Sequence, residues 1–131
     1  MTKPKPQTPR PTQAELEILS VLWQRGNSTV REVQETLTET RAMGYTTVLK
    51  LLQIMSEKGL VTRDEEQRSH VYAAAIPQDQ TQRQLVTDLL DRAFDGSAMD
   101  LVMHALATKK TSAEEIARIR HLLDELEGES R

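Results

Sequence analysis

Residues 44 to 75, GYTTVLKLLQIMSEKGLVTRDEEQRSHVYAAA, restrict the possible folds more than any other part of the chain. Val48, Leu51, Leu52 and Met55 recur at i, i+3, i+4 and i+7, the spacing that gathers apolar side chains on one stripe of a helix. Thr46, Thr47, Lys50 and Gln53 fall on the other side, and none is acidic. Side chains of these types can reach phosphates or base edges. Gly59 is placed to end the helix in the left-handed conformation common at helix C-termini. Residues 60 to 64 and 69 to 75 then read as two short strands, with residues 65 to 68 as the loop between them. A helix able to enter a groove, followed by a hairpin able to lie on the backbone, describes a winged helix-turn-helix. Taken alone, an ordinary amphipathic helix and hairpin with a solvated polar face would read the same way.

The preceding residues favour the first description. Thr12 and Glu15 form a capping-box start. Leu16, Leu19, Leu22 and Trp23 follow as the apolar side of a first helix, widened by Ile18 and Val21. Residues 25 to 28, Arg-Gly-Asn-Ser, are a turn cluster. Thr29 with Glu32 is a second capping box, and Val30, Val33 and Leu37 carry the stripe of a helix ending near Glu39. Residues 41 to 45 are a short connection into the third helix. Three helices joined by tight turns, then a two-stranded wing, is the order expected of this module.

From Pro77 onward the pattern is helical throughout. Leu85, Val86, Leu89, Leu90, Ala93 and Phe94 form a wide stripe over residues 78 to 94, broken by Asp95-Gly96-Ser97. Ala98, Met99, Val102, Met103 and Leu106 mark a short second helix that stops before Lys109-Lys110. Ser112 with Glu115 is a third capping box, opening a helix with Ile116, Ile119, Leu122, Leu123 and Leu126. A region this small struggles to bury such faces as a monomer. A helix-exchanged dimer would bury them; an intramolecular bundle docked on the winged helix is the alternative.

These residues carry a resemblance. Residues 12 to 23 (TQAELEILSVLW), Tyr45-Thr46-Thr47-Val48, Lys58-Gly59-Leu60 and residues 68 to 72 resemble the DNA-binding domain of the penicillinase-repressor family of bacterial regulators, the BlaI and MecI type. The likeness continues through Phe94-Asp95-Gly96 and residues 111 to 123 (TSAEEIARIRHLL), so it covers all but the first eleven residues and the last few. It implies a homodimeric repressor on a partially palindromic operator of double-stranded DNA, in a beta-lactam-type resistance or stress operon. The expected architecture is mainly α with a small two- to three-stranded β wing: a winged helix-turn-helix over residues 12–76 and a helical dimerisation region over 77–131. The expected DNA contacts are Arg41, Tyr45, Thr46, Thr47, Lys50, Gln53, Arg63 and Arg68. The expected dimer contacts are Leu85, Leu89, Phe94, Val102, Leu106, Ile119, Leu122 and Leu123. A winged helix used for protein–protein assembly, without sequence-specific DNA binding, is the competing reading.

The resemblance also implies how such a repressor is released. In the penicillinase branch a membrane-bound, zinc-dependent sensor protease pathway cuts between an Asn and a Phe in the short middle helix of the dimerisation region. Aligned on Val102 and residues 111 to 116, that bond falls at His104-Ala105. The chain departs from the family pattern there, which puts the cleavage specificity and the antibiotic link in doubt. A related branch senses copper through a cysteine pair, and this chain has no cysteine.

Charge and composition bound the remaining classes. The net charge of −3 argues at first against a nucleic-acid partner. The charges are unevenly divided, however. Residues 1–75 hold ten Lys/Arg against nine Asp/Glu, and residues 76–131 hold seven against eleven. The acidity therefore sits in the half not expected to touch DNA, and affinity must rest on local basic residues and on two copies of the domain. Residues 1–11, MTKPKPQTPRP, carry four of the five prolines and no acid, the composition of a disordered arm, either solvated or laid along DNA. His70, His104 and His121 lack ligand spacing, and no phosphate loop, nucleophile elbow or paired-carboxylate pattern is present. The reading is a non-enzyme with no cofactor and no metal. No apolar run of membrane-spanning length and no signal-peptide pattern occurs, so the cytoplasm, without membrane insertion, is the expected location.

Overall fold

The computed structural model describes residues 10–39, 41–66 and 68–129, and the N-terminal arm lies mostly outside them. The elements run α1 (Gln13–Arg25), β1 (Ser28–Thr29), α2 (Val30–Thr38), α3 (Tyr45–Lys58), β2 (Val61–Asp64), β3 (Val71–Ala74), α4 (Gln78–Ala93), α5 (Ala98–Thr108) and α6 (Ala113–Glu129). The chain divides into two compact units between Arg83 and Gln84, inside α4.

In the first unit both expected capping boxes form. The Thr12 hydroxyl accepts from the Glu15 N–H while Glu15 accepts from the Thr12 N–H, and Thr29 and Glu32 repeat the exchange. Gly59 ends α3 at φ 83°, where a side chain would be strained, and the N–H of Leu60 closes onto the Met55 carbonyl at 2.9 Å. The buried face of α1 is rotated from the expected one. Ile18, Leu19, Val21 and Leu22 are buried, whereas Leu16 and Trp23 are only half-buried. The displaced stripe brings Glu15 inward to meet α3, and Trp23 uses its partial exposure to donate its indole N–H to the Ile76 carbonyl at 3.0 Å.

The sheet is three-stranded and antiparallel, in the order β1-β3-β2. Ser28, expected in a turn, and Thr29, the N-cap of α2, pair with Tyr72 and Val71. Val61 through Asp64 pair with Ala74 through Val71. Both wing strands are shorter than expected, and His70 lies just before β3 instead of within it. Val30, Val33, Leu37, Val48, Leu52, Met55, Leu60, Val61 and Tyr72 complete one core with the α1 residues. Leu51 only flanks it, at partial burial.

In the second unit α4 ends at Ala93, one residue earlier than expected, and Asp95 and Gly96 adopt positive φ of 49° and 80°. The Ser97 hydroxyl caps α5 by accepting from the Asp100 N–H. At α6 only half of the expected capping box forms, with Ser112 accepting from the Glu115 N–H at 3.1 Å. Neither α5 nor α6 has a buried residue. Leu89, Met99, Val102, Met103, Leu106, Ile116, Leu122, Leu123 and Leu126 are exposed. Among the described residues no helix is long and apolar enough to cross a membrane.

Candidate nucleic-acid interface

The placement of α3 follows from its two faces. Val48, Leu52 and Met55 are fully buried against α1 and α2, so Tyr45, Thr46, Thr47, Lys50 and Gln53 are turned outward and exposed. Gly44 is the N-cap and makes no side-chain cap hydrogen bond, and no acid lies in the first turn. The first N–H groups of α3 therefore remain without the side-chain acceptor that α1 and α2 possess. Together with the Thr46 and Thr47 hydroxyls they can hold a phosphate, favoured by the positive end of the helix dipole.

The C-terminal end of α3 is fixed by an ion pair. Glu15 is 1% exposed and takes the Lys58 ammonium at 2.8 and 3.1 Å while still accepting from the Thr12 N–H. Burial pushes the Glu15 carboxyl up, but the Lys58 ammonium and the Thr12 N–H outweigh it and hold the group below the usual carboxylate value. One carboxylate thus caps α1 and tethers α3. The local pattern accounts for Glu15 only as a cap; its partner Lys58 lies 43 residues away.

Three other cations of this unit are also paired within it. Arg41, a candidate DNA contact, reaches Glu17 at 3.1 Å, and Arg25 pairs with Glu32. The Thr29 N–H, followed by Arg25, lowers the carboxyl of Glu32. Arg63, another candidate, pairs with Glu65, and its guanidinium is held further toward the charged form first by Glu65 and then by Tyr72. Arg63 lies directly across from Tyr72 on the sheet. The Tyr72 hydroxyl is buried without a hydrogen-bond partner in good geometry.

Arg31, Lys50 and Arg68 are differently placed. They are exposed and have no carboxylate within ion-pair distance among the described residues. Arg31 and Arg68 line a groove of about 430 Å³ with Thr29, Val30, Tyr45, Leu49, Ser69 and His70. The structure thus brings Arg68 beside Tyr45 at the start of α3, with Thr46, Thr47, Lys50 and Gln53 further along the same helix. Arg31 and Ser69 belong to the same surface and lie outside the expected contacts. Their common feature, exposed donors without internal partners, is not visible from spacing. The described residues contain no cluster of His, Asp and Glu able to hold a metal ion.

Comparison with known proteins agrees with the fold. Over 116 residues the chain is 35% identical to the transcriptional regulator BlaI of Mycobacterium tuberculosis, covering 87% of this chain and 83% of that one. It is 26% identical over 117 residues to the penicillinase repressor of Bacillus licheniformis, covering 89% and 91%. The solution structure of the DNA-binding domain of the repressor BlaI superposes with a TM-score of 0.50 at 28% identity, over 55% of this chain and 88% of that domain. The penicillinase repressor family model matches residues 11–125. With a match of this extent, and a winged helix where the family carries its DNA-binding domain, the chain belongs to the penicillinase repressor family.

Proposed function

We propose that this chain is a homodimeric repressor that binds a two-fold operator and thereby denies RNA polymerase the promoter. Family membership makes it a DNA-binding transcriptional repressor; the dimer, the operator symmetry and the individual contacts are our reading. The observation that carries it is the outward face of α3, with uncapped N-terminal amides, Thr46, Thr47, Lys50 and Gln53, next to a wing bearing Arg68. Lys50 and Arg68 make the strongest contacts because no internal carboxylate competes for them. Arg41 and Arg63 would have to exchange Glu17 and Glu65 for phosphate.

Residues 12–76 serve as the DNA-binding domain and residues 77–131 as the dimerisation region, through Leu85, Leu89, Phe94, Val102, Leu106, Ile119, Leu122 and Leu123. The exposed apolar faces of α4, α5 and α6 support that assignment, since water-facing leucines and methionines gain by burial against a second copy. Two-fold symmetry then sets two α3 helices about 34 Å apart, one turn of duplex. The protein acts in the cytoplasm, where promoters are, and does no chemistry on a substrate. Release by a membrane-bound sensor protease would act at His104-Ala105, both exposed on α5.

The test is protection mapping on DNA flanking the gene, followed by titration of the protected fragment at several salt concentrations. Operator binding that weakens steeply with salt is expected, because phosphate contacts displace counterions. Lys50→Ala should weaken it by about 1–3 kcal/mol if the ammonium reads a guanine edge, with the dimer intact. Salt-insensitive binding, or no protection, would favour a protein-assembly module instead.

A further inference from the structure

The geometry points to the groove between the start of α2, the first turns of α3 and the end of the wing loop as a seat for the phosphodiester backbone of duplex DNA, with Arg31 as its main unrecognised contact. This rests on the repressor reading and adds to it a positioning surface outside the recognition helix. Arg31 and Arg68 enter the groove from segments far apart in sequence, and Ser69 and His70 add a hydroxyl and an imidazole. Among the described residues no carboxylate lines it. The nearby Glu32 carboxylate is occupied by Arg25 and by the Thr29 N–H of its own cap. Two guanidinium groups brought to one groove without a counter-charge repel one another, and an anion between them relieves that repulsion.

The anion is identified by what forms the remaining wall. Tyr45 and Leu49 sit one turn apart on α3, beside the row formed by Thr46 and Lys50. A chain of phosphates following the groove therefore runs alongside the face offered to bases. Arg31, second residue of α2 and exposed, occupies the part of a helix-turn-helix that borders the backbone when the next helix enters the major groove. Such contacts fix register and orientation and carry no sequence information.

The experiment measures duplex affinity of the full-length protein against salt for wild type, Arg31→Ala and Arg31→Lys, on the operator and on a scrambled duplex of equal length. Loss of one phosphate contact makes the slope of log affinity against log salt shallower by about 0.9. Arg31→Ala is expected to show that change and to weaken both duplexes by the same factor, while Arg31→Lys keeps most of the slope. Unfolding followed by the fluorescence of Trp23 checks that the variants are folded. An unchanged slope for Arg31→Ala, or a loss confined to the operator, overturns the assignment while the repressor reading stands. A folded wild-type protein that binds neither duplex overturns both.

Discussion

Replacing Glu15 by Gln tests whether the tether between α1 and α3 stabilises the winged helix. The amide keeps the size of the side chain and can still accept from the Thr12 N–H, so the capping interaction is largely retained. What disappears is the charge opposite Lys58, held at 2.8 Å. A hydrogen bond between charged groups contributes about 1.5–3 kcal/mol. Lys58 is 35% exposed and regains water when its partner is lost, so solvent screening places the expected loss near the lower end, about 1.5 kcal/mol. With a urea dependence of about 1 kcal/mol per molar for so small a unit, the midpoint should fall by roughly 1–1.5 M. Trp23 is the chain's single tryptophan and lies in α1, so its fluorescence follows this unit. The carboxyl of Glu15 is lowered from 4.5 in the folded state, so its contribution is complete above that value and fades as pH falls through the folded value. The gap between wild type and variant should therefore close on acidification. Equal midpoints at neutral pH, or a gap that persists unchanged in acid, would refute the argument.

Two further outcomes concern the second unit. Leu89→Asp and Leu123→Asp each place a charge on an apolar face, at a cost of several kcal/mol if that face is covered by a second copy, and should give a monomer with a folded winged helix and weak operator binding. Light scattering that still reports a dimer for both variants would remove these faces from the interface. If a protease relieves repression, mass spectrometry of protein from induced cells should find scission within Ala98–Thr108 near His104-Ala105, since α5 has no buried residue to resist local opening. Full-length protein during a strong response would point to a different release.

The legible parts of this molecule were those written in local pattern. Capping boxes at Thr12 and Thr29, the stop at Gly59 and the hairpin after it depend on residues within a few positions, and the structure has each of them. The centre of the buried face of α1 is not legible because apolar residues at 16, 18, 19, 21, 22 and 23 surround much of the helix, and the packing of α2, α3 and β3 decides which are covered. β1 was missed because two residues following a turn have no strand signal of their own; pairing with β3 creates the strand. The candidate contacts on α3 could be proposed from their polar face. The occupation of Arg41 by Glu17, 24 residues away, and the groove at Arg31 could not, because both arise from segments that only the fold brings together.

The internal pairing of Lys58, Arg41, Arg25 and Arg63 also affects how such a protein searches a chromosome. Attachment to arbitrary sequence grows with the number of phosphates a surface can neutralise, and any genome offers vastly more arbitrary sequence than operator. With four basic side chains turned to neighbouring carboxylates, fewer charges of the winged helix stand ready for bulk DNA until those pairs exchange. More molecules stay unbound between encounters, so the occupied fraction of a target follows the number of copies made. A promoter guarded in this way responds to modest changes in repressor abundance.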